Sequence, residues 1–280
     1  MTAPSRLRAL WGASHPGPTL VVTALAVALG IAAGLDPWRV VVLAFAVIAG
    51  QLSVGISNDA IDAARDRAVG RTDKPIARGD VSVRAAWVAA GLLVLVSLAA
   101  SAVLGLLMAA VHALALASAW AYNAGLKNTP VSIVPFLVSF GLFPSLATLS
   151  ASSPAFASPW ATVAGAALGA AVHLTNVLPD LDDDAQTGVR GLPHRLGVRW
   201  AVTLAVVGIL IGALAVLLGP ALQGTTGVGP VAVAFFSAVA IVAGATLVLA
   251  LTRRPTRALF RLTMLAALLL AVQLVATAAG

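Results

Sequence analysis

Nine apolar runs, each near the length of a membrane-spanning helix, leave this chain of 280 residues few ways to fold. A hydrocarbon core about 30 Å thick takes roughly 20 apolar residues to cross as helix. Lipid offers no partner to a peptide group, so the backbone must close its own hydrogen bonds. The runs fall at Thr19–Leu35, Val40–Ser57, Ala85–Gly105, Leu106–Asn123, Ser132–Ser150, Trp160–Leu178, Trp200–Gly219, Val231–Leu251 and Ala258–Ala278. With 60% hydrophobic and 10% charged residues, a soluble domain burying one core is excluded. The expected fold is an all-α integral membrane protein, about nine transmembrane helices in one domain over residues 1–280. The third and fourth runs abut at Gly105, where a tight hairpin is expected. The basic opening stretch MTAPSRLRALWGASHPGP precedes the first run without a convincing cleavage site, so that run is read as a retained helix.

Charge then orients the bundle. With the N-terminus cytoplasmic, 16 of the 17 Lys and Arg residues fall on inward segments, and only Arg39 falls outside. This is the positive-inside pattern, and with nine spans it puts the C-terminus outside. It also accounts for a pI near 11.4, since no basic domain stands apart from the membrane to bind nucleic acid. Cysteine is absent, which excludes disulfides, thiolate metal sites and Cys nucleophiles.

The ten acids are all aspartates, and nine of them lie in two inward-facing regions. One region contains NDAIDAARDRAVG and the other NVLPDLDDDAQTG. Asn58, Asp62, Asp66 and Gly70 match Asn176, Asp180, Asp184 and Gly188 at a constant offset of 118 residues. The common skeleton reads as a pseudo-repeat. A spacing of four turns each residue about 40° from the last, so Asn, Asp and Asp form one polar ribbon roughly 12 Å long. An Asp beside an Arg at a helix end is ordinarily a solvated interface; the second copy of the pattern argues against that here. Two facing ribbons would gather negative charge that needs a cation. Carboxylates and amides without a His or Cys cluster favour a hard ion such as Mg²⁺, which shares its coordination with substrate phosphates. Arg65, Arg67, Arg71, Lys74, Arg78, Lys127, Arg190 and Arg195 surround the acids, and metal together with bases points to a diphosphate.

At these residues the chain resembles the UbiA superfamily of intramembrane prenyltransferases. NDAIDAARD is similar to its first aspartate-rich motif, NDxxDxxxD, and DLDDD stands in the place of its second, DxxxD. RTDKPIARGDVS, YNAGLKN and GVRGLPHRLG resemble further family segments. The resemblance implies a helical bundle around a central cavity, two Mg²⁺ ions and an isoprenyl diphosphate between the motifs. Asn58, Asp62 and Asp66 would serve one metal; Asp180 and Asp184, with Asn176, would serve the other. Asp62, Asp66, Asp180 and Asp184 would be the catalytic aspartates. Lys127, Lys74, Arg78 and Arg71 would bind the diphosphate, while Asp59 points off the ribbon. The lone loop His194 is read either as a proton acceptor near the mouth or as solvated. The resemblance leaves the acceptor open: first an aromatic ring, such as 4-hydroxybenzoate or a naphthoate, in quinone or related lipid biosynthesis, and otherwise a haem, chlorophyll or sugar phosphate. The alternatives are a cyclase that uses no acceptor and a cation transporter, for which Gln51, His112 and His173 are the few polar groups near the midplane. The lipid bilayer is the expected partner.

Each of Asp62→Ala, Asp66→Ala, Asp180→Ala and Asp184→Ala is expected to abolish Mg²⁺-dependent turnover while the protein stays folded in membranes. Pyrophosphate release beside a folding measurement checks this, and activity retained in the Asp66 and Asp180 variants would overturn the two-motif reading.

Overall fold

The structure is a computed structural model that describes residues 6–176, 190–225, 227–252 and 257–279. Each of the nine apolar runs coincides with a helix among these residues. In chain order they are α1 (Arg6–Ala13), α2 (Pro16–Ala32), α3 (Pro37–Ala68), α4 (Pro75–Arg78), α5 (Val83–Leu104), α6 (Leu106–Ala124), α7 (Val134–Thr148), α8 (Pro159–Asn176), α9 (Leu192–Leu222), α10 (Pro230–Thr252) and α11 (Arg257–Ala278). A 3₁₀ turn, Leu126–Asn128, joins α6 to the segment before α7.

Local chemistry sets many of the helix starts. Pro stands in the first turn of α2, α3, α4, α7 and α9, where its missing N–H would have no helical acceptor anyway and its fixed φ suits the helix. Ser82 starts α5 by accepting the Ala85 N–H at 3.2 Å. Gly105 alone separates α5 from α6, at φ 154 and ψ 149, so the expected hairpin turns on one residue that lacks a Cβ.

The span count differs from the sequence reading. Among the described residues, six helices are long and apolar enough to cross a membrane, and a seventh is reached if α1 and α2, bent by 70°, form one broken span. α7 is apolar but has only 15 residues. α8 reaches 18 residues, yet its terminal Pro, Trp, His, Thr and Asn dilute its apolarity. The two pack closely on each other, and α8 packs further on α9 and α11. Gly197, at φ 71, kinks α9 near its start, so this helix begins well before the run that announced it.

α2, α3, α6, α7, α8 and α11 pack in succession, and α11 returns to α2 to close the ring. α5 lies behind α3, while α9 and α10 lie behind α8 and α11. One large apolar core joins most of the helices, and a smaller one around Ile56, Ile76 and Ala86 fastens α1, α4 and α5 to α3. Large apolar side chains such as Leu95, Ile241 and Val248 face outward, as a lipid-facing surface requires.

The α7–α8 contact depends on small residues. A Cβ at Gly165 would fall on the Phe140 carbonyl oxygen, and one at Gly169 on that of Phe136, so the two backbones touch as small residues permit in membranes. By contrast, a Cβ at Gly91 in α5 would meet nothing within 4 Å. Gly165→Val should therefore destabilise the detergent-purified protein by about 1–3 kcal/mol. Gly91→Ala should leave it unchanged or stabilise it by about 0.5–1 kcal/mol. Thermal unfolding of the two variants side by side checks the contrast.

Candidate functional site

Successive helices run in opposite directions, so the ends of α3, α6 and α8 and the starts of α2, α7 and α9 gather on one face. There they enclose a cavity of about 490 Å³. Its inner wall is apolar or aromatic, with Val22, Val54, Phe136 and Phe140. Its mouth carries Asn58, Asp62, Arg65, Asp66, Lys74 and Lys127.

Asn58, Asp62 and Asp66 all line the cavity along one stripe of α3, as spacing by four dictates. Asp62 and Asp66 are 9% and 4% exposed. The Nζ of Lys127 lies 2.7 Å from both carboxylate oxygens of Asp62 and 3.3 Å from the Asn58 Oδ1. Arg65 adds contacts of 3.1 Å to Asp62 and 3.8 Å to Asp66. The buried negative charge is thus met by two cations.

Lys127 is held in place from several sides. One turn earlier, Asn123 donates from Nδ2 to the Val54 carbonyl at 2.9 Å and to Ser57 Oγ at 3.0 Å, fastening α6 to α3. Beyond it, the buried Ser132 hydroxyl accepts the Leu192 N–H at 2.9 Å and lies 3.0 Å from Nε2 of His173. Gly191 presses against the Lys127 loop so closely that a Cβ would strike the Lys127 carbonyl.

The remaining predicted bases divide. Lys74 and Arg71 line the cavity, whereas Arg78 is not among the lining residues; it holds Asp80 and the Thr72 carbonyl. Arg71 makes two hydrogen bonds to Asp73, at 2.8 and 2.7 Å, and these hold the Asp73 carboxyl at a pKa of about 2. A depressed carboxylate keeps its partner above that range, so this pair persists at every ordinary assay pH and loosens only as pH falls toward 2. Lys74 is tied to Asp59, which is buried and turned away from the cavity. Asn176 is the last residue of α8 and lines the cavity with His194. Asp180 and Asp184 lie outside the described residues. Among the described residues, no group of three His, Cys, Asp or Glu side chains could hold a metal alone.

Of the midplane polar groups, His112 is a packing residue: its Nδ1 meets the Ser101 hydroxyl at 2.8 Å inside the core. Gln51 and His173 line the cavity instead. The sequence reading missed His15 and Ser132 on the site's margins. Neither carries a local signal, because their partners lie 44 and 41 residues away along the chain.

A helical bundle with several membrane-length apolar helices, and with acids and bases at the mouth of an apolar cavity, defines a polytopic membrane protein with one charged-mouthed site. The chain belongs to the UbiA prenyltransferase family, whose sequence pattern matches residues 19–276. It is 32% identical over 187 residues to a digeranylgeranylglyceryl phosphate synthase of Natronomonas pharaonis. That match covers 63% of this chain and 66% of the relative, slightly under two thirds of the relative's length. Its fold is shared with an apo UbiA homologue from Aeropyrum pernix, with TM-score 0.73, 20% identity, and 93% and 98% of the two chains covered. It is likewise shared with a UbiA homologue from Archaeoglobus fulgidus bound to GPP and Mg²⁺, with TM-score 0.71, 15% identity, and 97% and 100% covered.

Gly191→Ala is expected to displace the Lys127 backbone. Misplacing a positioning group by about 1 Å can cost on the order of 10²-fold in rate, and turnover of the variant, measured at a temperature where it is still folded, checks this.

Proposed function

We propose that this protein transfers a prenyl group from an isoprenyl diphosphate to a small acceptor, with Mg²⁺, inside the membrane. The observation that carries this reading is Lys127 reaching Asp62 and Asn58 at the mouth of an apolar cavity. That arrangement suits a substrate with a charged head and a hydrocarbon tail.

The oxygen donors of Asn58, Asp62 and Asp66 fit a hard divalent ion that completes its shell with water and phosphate. Asp180 and Asp184, with Asn176, are assigned to a second ion. Bound Mg²⁺ would neutralise charge building on the leaving diphosphate. Lys127 would bind that diphosphate directly, with Lys74 and Arg71 on the cavity wall as further bases, while Arg78 stays with Asp80 outside the lining. These donors would stabilise the departing diphosphate as the allylic C–O bond ionises. The apolar wall would hold the tail and keep water from the carbocation. The aspartates position; they are not nucleophiles.

For the acceptor, the first reading is an aromatic ring such as 4-hydroxybenzoate or a naphthoate, supported by the motif resemblance. The second is the hydroxyl of a glyceryl phosphate lipid, favoured by the relative from Natronomonas pharaonis. The charge asymmetry supports a cytoplasmic N-terminus and cytoplasmic aspartate motifs, with the C-terminus outside if all nine runs span, and one functional domain over the chain.

The purified protein, given Mg²⁺, allylic diphosphates of increasing length, and either aromatic or glyceryl phosphate acceptors, should release pyrophosphate only with one acceptor class. Release without any acceptor would mean a cyclase. No release from folded protein, with metal flux into liposomes, would replace the reading with transport.

A further inference from the structure

The first acidic motif holds a carboxylate that the oxygen ribbon leaves aside. Asp59 follows Asn58 directly, about 100° further around α3, and is 2% exposed. Its Oδ1 accepts from Lys74 Nζ at 2.7 Å and from His15 Nε2 at 2.9 Å. Those two partners, unlike Asp59 itself, line the cavity.

His15 is held in an unusual conformation. At φ 55 and ψ 67 it is the only non-glycine residue with positive φ among the described residues. A side chain with a Cβ disfavours that region, and such outliers persist where the surroundings enforce them. Here the preceding Ser14 carbonyl lies against Gly55, where a Cβ would collide with it. The same carbonyl accepts from Thr19 Oγ1 at 2.9 Å, and Ser14 Oγ donates to the Trp11 carbonyl at 2.7 Å. The sharp bend between α1 and α2 is thereby clamped to α3, delivering the imidazole to the cavity wall with 38% of its side chain exposed.

Geometry also fixes the ring's tautomer. At 2.9 Å from a carboxylate oxygen, Nε2 must carry hydrogen, because two facing lone pairs would repel. Lys74, 3.3 Å from the same nitrogen, therefore donates to Asp59 and not to the ring. With hydrogen on Nε2, Nδ1 is the ring nitrogen that can take up a proton. Two other groups on the wall are already engaged: Asp62 with Lys127 and Arg65, and His173 Nε2 with the Ser132 hydroxyl.

We propose that His15 takes the proton that the acceptor must lose on prenylation, with Asp59 as the positioning residue that fixes its ring. This rests on the prenyl-transfer reading and deepens it. In the step, the allylic C–O bond breaks and its electron pair leaves with the diphosphate. A lone pair of a hydroxyl, or a π pair of an aromatic ring, forms the new bond to the allylic carbon. The acceptor's proton passes to His15 Nδ1, and the resulting imidazolium is stabilised through its Nε2–H by Asp59, as in other carboxylate–imidazole pairs. The proton then leaves to water. Hydroxyl and aromatic acceptors both release one proton, so the assignment holds for either.

The test uses the full chain with Mg²⁺, a prenyl diphosphate and whichever acceptor the native protein uses. His15→Ala should lower kcat by about 10²-fold or more, leave the donor KM within about threefold of native, and regain rate when imidazole is added. His15→Gln, which can still donate to Asp59 but has no basic nitrogen, should be as slow and gain nothing from imidazole. A kcat within about threefold of native in both variants would overturn the proposal. So would a donor KM that rises in step with the lost rate without imidazole rescue, since His15 would then only anchor the α1–α2 bend. A native protein that transfers to no acceptor would remove the prenyl-transfer reading itself; an active native protein with unaffected His15 variants would remove only this inference.

Discussion

The contact between Lys127 and Asp62 is the one on which the site depends. A carboxylate at the end of an apolar bundle, left without a counter-charge, costs several kcal/mol in lost hydration. Lys127 meets both oxygens of Asp62, and Arg65 closes on it from its own helix. The surrounding architecture keeps that lysine where it is. Asn123 fastens its helix to α3, and Gly191 lets the start of α9 press on its backbone. The same ion pair suits a site that exchanges charges: a metal arriving at Asp62 with a diphosphate would offer Lys127 another anion, so neither charge would be left bare.

An apolar bundle can hold such a site only if it stays hollow at one end and tight elsewhere. Gly165 and Gly169 let α7 and α8 meet backbone to backbone, and Gln273 reaches across to the Ala213 carbonyl to tie α11 to α9. Lipid tails are as apolar as the core, so close packing and buried hydrogen bonds hold membrane helices together. At the open end, Tyr122, Phe136 and His173 meet edge to face or tilted, with centroids 4.8–5.7 Å apart. These rings give the wall a rigid apolar surface beneath the charged mouth.

The loop after α3 shows how bases that look equivalent along the chain separate in space. Arg71 and Arg78 each hold an aspartate two residues further on, yet only Arg71 also reaches the cavity wall. Lys74, between them, turns inward to Asp59. A basic loop rich in aspartate neutralises much of its own charge, and what remains facing the cavity depends on which residues the short helix Pro75–Arg78 turns inward.

What was legible in the sequence was whatever short-range rules decide. Nine apolar runs become helices because a peptide group in lipid has only its own chain to bond with. Asn58, Asp62 and Asp66 share a stripe because four residues make just over one turn. The span count was not legible, since an apolar run reads alike whether lipid or other helices surround it, and α7 and α8 proved shorter or less apolar than a lone span requires. Tertiary structure alone decided that Lys127 belongs to Asp62 across 65 residues, that Ser132 bridges His173 and Leu192, and that Asp59, off the ribbon, meets His15. Those pairings depend on how helices cross and where glycines let them touch, and no local spacing encodes a contact between segments that the chain brings together only by folding.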